Sequence, residues 1–278
     1  MSRATKYNMT TLHPANSGYE GFRSKTEKMW FEAYFKSRKS VIAERPVEIF
    51  DFPEEVQQVI RSRRWGPQLQ FKGECNETLV RLFYASIVSI EDDSFEAYVR
   101  GVRIPVTDVS LANLMGVPYE PRPAAYLSNP TLRPSKEEMA TAFRGEPSIW
   151  YTEELKPSTF TRKYRLMDLI MHSSIAPTRH KNVPADRGAI LYAICDPATR
   201  VDLASLIFSF MVQASQDIAS SSALPYGVLI TRICQAAGCR EEPTDAHQPH
   251  ISPLDERTLT RSEAQIRGVA KRARTGAE

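Results

Sequence analysis

The sequence predicts a mainly α fold: a single helical domain over residues 25–240, with a small β-hairpin near residues 95–106 and flexible basic termini. Three observations carry that prediction. Apolar residues recur at three- and four-residue steps through most of the chain, a period-2 alternation is confined to the stretch near 95–106, and hydrophobic content collapses beyond Cys239. With 278 residues, 42% of them hydrophobic and 25% charged, the chain carries enough apolar side chain to bury a sizeable core.

Residues 1–24 are polar, rich in Asn, Ser, Gly and Thr, and read as a disordered N-terminal segment. Helical periodicity starts at Lys25, where Trp30, Phe31, Tyr34 and Phe35 recur between Lys28, Lys36, Arg38 and Lys39. A second helix runs from Pro53 to about Arg64 and stops at the breaker cluster Trp65-Gly66-Pro67. Asn76 is an N-cap for a strong helix with Leu79, Val80, Phe83, Tyr84, Ile87 and Val88 on one face, ended by Glu91-Asp92-Asp93-Ser94. The period then drops to 2: Phe95, Ala97 and Val99, then Val102, Ile104 and Val106 after Gly101, with Pro105 marking an edge strand. Thr107 caps a short helix closed by Gly116 and Pro118.

Five prolines make 117–136 an extended loop. Helical signals return at Ser135–Phe143 and Phe160–Ser173, and Pro184 opens a helix through Ile190, Leu191 and Ile194. Two core helices follow. One carries Leu203, Leu206, Ile207, Phe210, Met211, Ala214 and Ile218 behind an Asp202 cap; the other starts at Pro225 and stops at Gly238. Residues 241–278 read as a polar, basic C-terminal tail.

Charge is arranged in blocks. Residues 1–45 hold nine Lys/Arg against four acids, residues 46–253 twenty-one against twenty-five, and residues 254–278 six against four, a mildly acidic body between basic ends. No apolar run reaches the length of a membrane span, and the N-terminus lacks the apolar stretch of a secretory signal, so no membrane partner is expected. Four scattered cysteines, most of them in apolar contexts, predict reduced thiols and an intracellular protein, nuclear or cytoplasmic.

Several blocks in succession resemble a known family. FEAYFKSRKSVIAERPVEIFDF, IRSRRWGPQLQFKGECNETLVRLFYASI and FEAYVRGVRIPVTDVSLANLMGVP, then IMHSSIAPTRHKNVPADRGAILYAI, VDLASLIFSFMVQAS and LPYGVLITRICQAAGC, are similar in order and spacing to the putative plant transposon protein domain. The resemblance spans about residues 28–239. It implies a protein of plant transposon or retrotransposon context, and it brings no catalytic residues with it.

A mobile-element context directs attention to mobile-element chemistry. A transposase or integrase needs three carboxylates on two metal ions, usually presented by strands; Asp92, Asp168, Asp186 and Asp202 lack that strand context. Ile90-Glu91-Asp92-Asp93 sits at a helix-to-strand turn rather than in a polymerase palm, and no Asp-Thr/Ser-Gly protease tripeptide occurs. Cys234, Cys239, His247 and His250 are four soft ligands in seventeen residues, but a Cys-x4-Cys pair with these histidines departs from zinc-finger spacing. His172 and His180 flank Ser173 and Ser174 without a nucleophile elbow, and no glycine-rich phosphate loop is present, so no cofactor is expected.

What remains is the charge at the ends. Arg267, Lys271, Arg272 and Arg274, with Lys36, Arg38 and Lys39, are the candidate nucleic-acid contacts, and Lys271-Arg272-Ala273-Arg274 also has the character of a nuclear localisation signal. The expected function is therefore non-enzymatic: a mobile-element-derived protein acting by binding or assembly, through gag-like self-association or scaffolding on nucleic acid. The rival expectations are a metal-dependent nuclease or transposase remnant and a fragment of a longer polyprotein.

Overall fold

Among the described residues, five of the ten α-helices named below begin at a side-chain cap that the sequence supplies. The structure is a computed structural model that describes residues 21–36, 40–120, 129–179, 182–217, 219, 222–249, 251–261 and 264. Ser24 caps α1 (Lys25–Trp30), which continues as a π turn, Phe31–Phe35. Asn76 Oδ1 accepts the Leu79 N–H at 3.0 Å to start α4 (Glu77–Ser86), after α2 (Glu54–Arg63) and the single-turn α3 (Gly66–Leu69). Thr107 and Ser110 form a capping box on α5 (Asp108–Met115), and Ser135 and Glu138 form another on α6 (Lys136–Arg144). Next come α7 (Arg162–Ile170), which runs into a second π turn at Met171–Ile175, α8 (Ala185–Cys195) and α9 (Leu203–Gln216), the last capped by Asp202. The final named helix, α10 (Gly227–Ala236), starts two residues later than Pro225, because Ala223–Leu224 is drawn into strand pairing and Tyr226 takes a left-handed φ of 62°.

Strands are short. β1 (Ser40–Val41) pairs in parallel with β6 (Ala223–Leu224), and β4 (Glu154–Leu155) pairs antiparallel with β5 (Val183–Pro184). β2 (Ser94–Val99) and β3 (Val102–Thr107) run antiparallel from Ser94↔Thr107 to Val99↔Val102. Arg100 and Gly101 make the reversal at φ of 50° and 81°, the two-residue geometry that matches strand twist. Helix α4 ends at Ser86 rather than running on through Val88. Ser86 Oγ takes the Tyr98 N–H at 2.9 Å and the Val88 N–H donates to Glu96 C=O at 2.8 Å, so strand bonding displaces the last helical turn.

Two helical groups share the interior. In one, α4 packs against α9, α10, β2 and the first π turn, with α5 on α9; in the other, α6 and α7 pack on α8, with α2 against α7. Among the largest fully buried side chains are Trp65, Tyr84, Tyr226, Phe35, Phe83 and Phe143. Arg63, at the end of α2, ties α2 to α8. Its guanidinium donates to the carbonyls of Ala193 (2.7 Å), Ile194 (3.1 Å), Asp196 (2.7 Å) and Thr199 (2.6 Å), satisfying the acceptors that a helix C-terminus leaves open. No helix among the described residues is long and apolar enough to cross a membrane.

The expected flexible tail from residue 241 is corrected over its first part. Residues 241–249 and 251–261 lie along the body, Leu254 and Leu259 are buried, and residues 256–261 wind as a helix. The physical reason is that this polar stretch satisfies its backbone against the N-terminal flank and carries two leucines into the core.

Replacing Arg63 by Ala leaves the α8 carbonyls without their charged donor and is expected to lower the unfolding free energy in urea by about 2–3 kcal/mol. Lysine at this position, lacking the planar fork, is expected to recover less than half of that loss.

Candidate functional site

Residues 240–249 and 251–261 form a strap that crosses three places on the body. At its root, Arg100 donates to the Arg240 carbonyl at 2.6 Å and forks onto the Asp245 carboxylate, which also accepts from Asn76 Nδ2 at 2.8 Å and the Glu242 N–H at 3.1 Å. Burial opposes ionisation of Asp245, but these donors outweigh it and hold the carboxyl at about 2. In the middle, Glu77 N–H donates to Ala246 C=O at 2.8 Å and Gln248 N–H to Cys75 C=O at 3.0 Å, while the Gln248 amide reaches Val41 C=O at 3.0 Å. At the far end, Val47 and Leu254 bridge in parallel. Leu254 N–H donates to Pro46 C=O at 2.7 Å, Glu48 N–H returns to Leu254 C=O at 2.9 Å, and Arg45 donates to the carbonyls of Ser252 (2.9 Å) and Pro253 (2.8 Å).

This last contact clasps the two flanks of the chain together. Arg45 is itself fixed from below: its N–H donates to Ser173 C=O at 3.1 Å, and Ser174 Oγ donates to its carbonyl at 2.7 Å, both from the second π turn. Arg257 and Arg261 are exposed on the turn that follows the clasp, with Leu259 buried beneath them. Their spacing of four on one helical face was open to reading in the sequence; what hid it was the absence of a strong apolar stripe.

Beneath the strap lies a cleft of about 750 Å³ lined by Glu44, Phe71, Lys72, Cys75, His247 and Ile251, among others. Glu44 is almost wholly buried at its floor. Its carboxyl oxygens accept the N–H groups of Val228 at 2.8 Å and Leu229 at 3.0 Å, the first turn of α10. Burial outweighs these hydrogen bonds and pushes the Glu44 carboxyl up to about 7. The arrangement makes Glu44 a distant helix cap, with both oxygens engaged by the backbone.

The structure separates most residues the sequence singled out. Arg38, Lys39, Arg267, Lys271, Arg272 and Arg274 lie outside the described residues, and Lys36 is exposed and paired with Glu32 at 3.7 Å. Of the four candidate carboxylates, Asp202 caps α9, Asp168 is buried 3.5 Å from His172, Asp186 is exposed 3.8 Å from Arg133, and Asp92 is exposed in the turn before β2. Among the described residues no group of three or more His, Cys, Asp or Glu is disposed to hold a metal. Of the four soft-ligand residues set aside on their spacing, Cys234 and Cys239 adjoin, His247 joins Asn76 in a backbone bridge, and His250 lies outside the described residues. Ser173 and Ser174 hold Arg45, and His180 is likewise outside the described residues.

The family model described as a putative plant retrotransposon-related domain matches residues 61–240, more than half of the chain and in agreement with the resemblance drawn from its sequence blocks. No curated protein and no solved structure matches the chain.

The Glu44 environment has a pH signature. The folded chain keeps the Glu44 proton up to about pH 7, whereas the unfolded chain releases it near the ordinary 4.5, so the folded state binds the extra proton between those values. Stability contributed by this group is therefore present below pH 4.5 and lost as pH rises through 7. Urea midpoints measured across that window are expected to fall less steeply in Glu44→Gln than in the parent, whatever offset the substitution adds. The strap generates a second expectation. A chain ending at residue 253 loses two buried leucines and is expected to be roughly 3 kcal/mol or more less stable than one ending at residue 264, by the same titration.

Proposed function

We propose, for a chain that belongs to the putative plant retrotransposon-related domain family, a non-enzymatic role in binding or assembly, in which the basic flanks contact nucleic-acid phosphates and the acidic body serves as their platform. The observation that carries this reading is the clasp. Arg45 belongs to the N-terminal block with nine cations against four acids, and it is bonded to Ser252, Pro253 and, at 3.3 Å, Thr258, at the root of the basic C-terminal block. The last residue of the N-terminal charge block is thus held against the segment that leads into the basic C-terminal block, while the −4 excess of residues 46–253 disfavours phosphate elsewhere on the molecule.

Phosphate contact of this kind is independent of base sequence and weakens steeply with salt, because each neutralised phosphate releases counterions. Assembly is the second part of the reading, and exposed apolar side chains support it: Phe50 is 81% and Tyr151 83% exposed.

The test is binding of the full chain to single-stranded RNA and duplex DNA over a salt series, beside a full-length variant carrying Arg267→Gln, Lys271→Gln, Arg272→Gln and Arg274→Gln. The parent is expected to bind with a negative salt slope, and the variant to lose about three to four in that slope. Equal slopes would remove the C-terminal block from the interface, and absence of binding at low salt would end the nucleic-acid reading. Light scattering across a concentration series tests assembly; a strict monomer throughout would remove that part.

A further inference from the structure

The turn that ends α10 places two thiols together. Cys239 N–H donates to Cys234 C=O at 2.9 Å, and Gly238 N–H donates to Gln235 C=O at 3.0 Å, with Gly238 at a φ of 79°. This nested pair of bonds is a Schellman motif, in which the residues at the two ends of the reversal bring their side chains into contact, normally as an apolar pair. Here both are cysteines. Their side chains hydrogen-bond to each other, and Cys239 Sγ also reaches Val99 C=O at 3.8 Å. Gly238 is needed for this: its left-handed φ is strained for any residue with a Cβ.

We propose that Cys234 and Cys239 form a two-thiol oxidation site that a small peroxide closes to an intrachain disulfide and a dithiol reductant reopens. The reaction runs in two displacements. The Cys239 thiolate attacks one oxygen of hydrogen peroxide, the O–O bond breaks, and Cys239 becomes a sulfenic acid with release of hydroxide. The Cys234 sulfur then attacks the Cys239 sulfur. The S–O bond breaks, the Cys234 proton leaves with the departing oxygen, and the second water forms with the proton Cys239 had lost. Two thiols are oxidised by two electrons and one peroxide is reduced to two waters.

Chemical asymmetry within the pair assigns the order of attack. The hydrogen bond from Cys234 draws the Cys239 thiol below its usual range and Arg100 adds to this, against burial, while the same bond and burial raise Cys234. Cys239 is therefore the attacking thiol and Cys234 the resolving one. The other two cysteines make internal controls. Burial pushes Cys75 and Cys195 each up to about 12, and among the described residues neither has a second thiol beside it. A bond closed over four intervening residues restrains little of the unfolded chain, so its effect is local: it fixes the root of the strap, next to the Arg100 contacts with Arg240 and Asp245.

The full-length protein allows a direct test. Trypsin cuts after Arg232 and Arg240, so both thiols fall in one peptide, residues 233–240. After peroxide treatment of the native protein, alkylation of remaining thiols and digestion, this peptide is expected unalkylated and about 2 Da lighter than its dithiol form, and restored by dithiothreitol. Cys75 and Cys195 are expected to be alkylated on unfolding as in the untreated protein. In Cys234→Ser, Cys239 is expected to accumulate as a sulfenic acid trapped by dimedone, whereas Cys239→Ser should leave Cys234 a thiol. A doubly alkylated 233–240 peptide after peroxide would overturn the site, as would a sulfinic acid on Cys239 beside an alkylated Cys234. Trapped sulfenic acid on Cys234 in Cys239→Ser would overturn the assigned roles.

Discussion

A buried carboxyl at the N-terminus of α10 is the constraint around which one side of this molecule is arranged. Residues 40–44 run beside 223–229: Ile42 N–H donates to Leu224 C=O at 2.8 Å, Gly227 N–H donates to Ile42 C=O at 3.0 Å, and Glu44 then takes the next two amides. The approach leaves no room for a side chain at Gly227, where a Cβ would stand 2.6 Å from Cys75 Sγ and 3.0 Å from Val41. The same turn of α10 is gripped from α4, because Asn76 N–H donates to Thr231 Oγ1 at 2.9 Å and Tyr84 OH donates to Pro225 C=O at 2.9 Å. Tyr226 OH donates to Ile175 C=O at 2.9 Å and carries the constraint into the second helical group. A side-chain cap is worth on the order of 1 kcal/mol, yet removing Glu44 would also orphan two buried N–H groups, so the coupling exceeds the value of the pair of bonds alone.

The flank clasp depends on that arrangement. Glu44 and Arg45 are adjacent, so fixing one against α10 fixes the other over the π turn at 171–175, and the Arg45 side chain can then reach the strap. Glu44 and both partners of the clasp, residues 45–48 and 252–258, lie outside the 61–240 stretch that matches the family model, although Glu44 caps α10 inside it and Leu254 is buried in the same core. The matched stretch and its flanks are physically interdependent. Leu254 is completely buried, and transferring such a side chain out of water contributes about 1.5–3 kcal/mol, enough to hold a polar segment against the loss of its chain entropy when backbone bonds accompany it.

What was legible in the sequence was local. Asn76, Thr107, Ser135 and Asp202 start their helices because a capping side chain and the amides it serves are two or three residues apart, a distance that a sequence displays. The mainly α character followed from the same short-range periodicity. Long-range contacts were not legible. Arg63 looks like one of three surface arginines until α8 is placed beside it, and Glu44 carries no local sign that its acceptors are residues 228 and 229. The strap reads as a polar tail because two leucines spaced five apart, Leu254 and Leu259, make no periodic stripe. At Cys234 and Cys239 the sequence pattern was informative in a different sense: the spacing that fails for a zinc finger is the spacing of a helix-terminating reversal, which needs five residues from one side chain to the other.

On the proposed nucleic-acid reading, the clasp also bears on how the two weakly basic blocks of the sequence act together. Free arms at opposite ends of a body would each bind phosphate independently, and each cation contributes little once screened over a Debye length of about 8 Å at physiological ionic strength. Basic blocks joined at the clasp would act differently on that reading, since contact by the first raises the effective concentration of the second at the same strand without any new contact. The gain depends on the root being rigid. That rigidity comes from the Val47–Leu254 bridge and from the Arg45 guanidinium, a cation engaged by carbonyls rather than by phosphate. On this argument the uncharged part of the interface, the buried leucine and the backbone bonds, sets the avidity of the charged part, and loosening the clasp would weaken phosphate binding in a chain whose every lysine and arginine is intact.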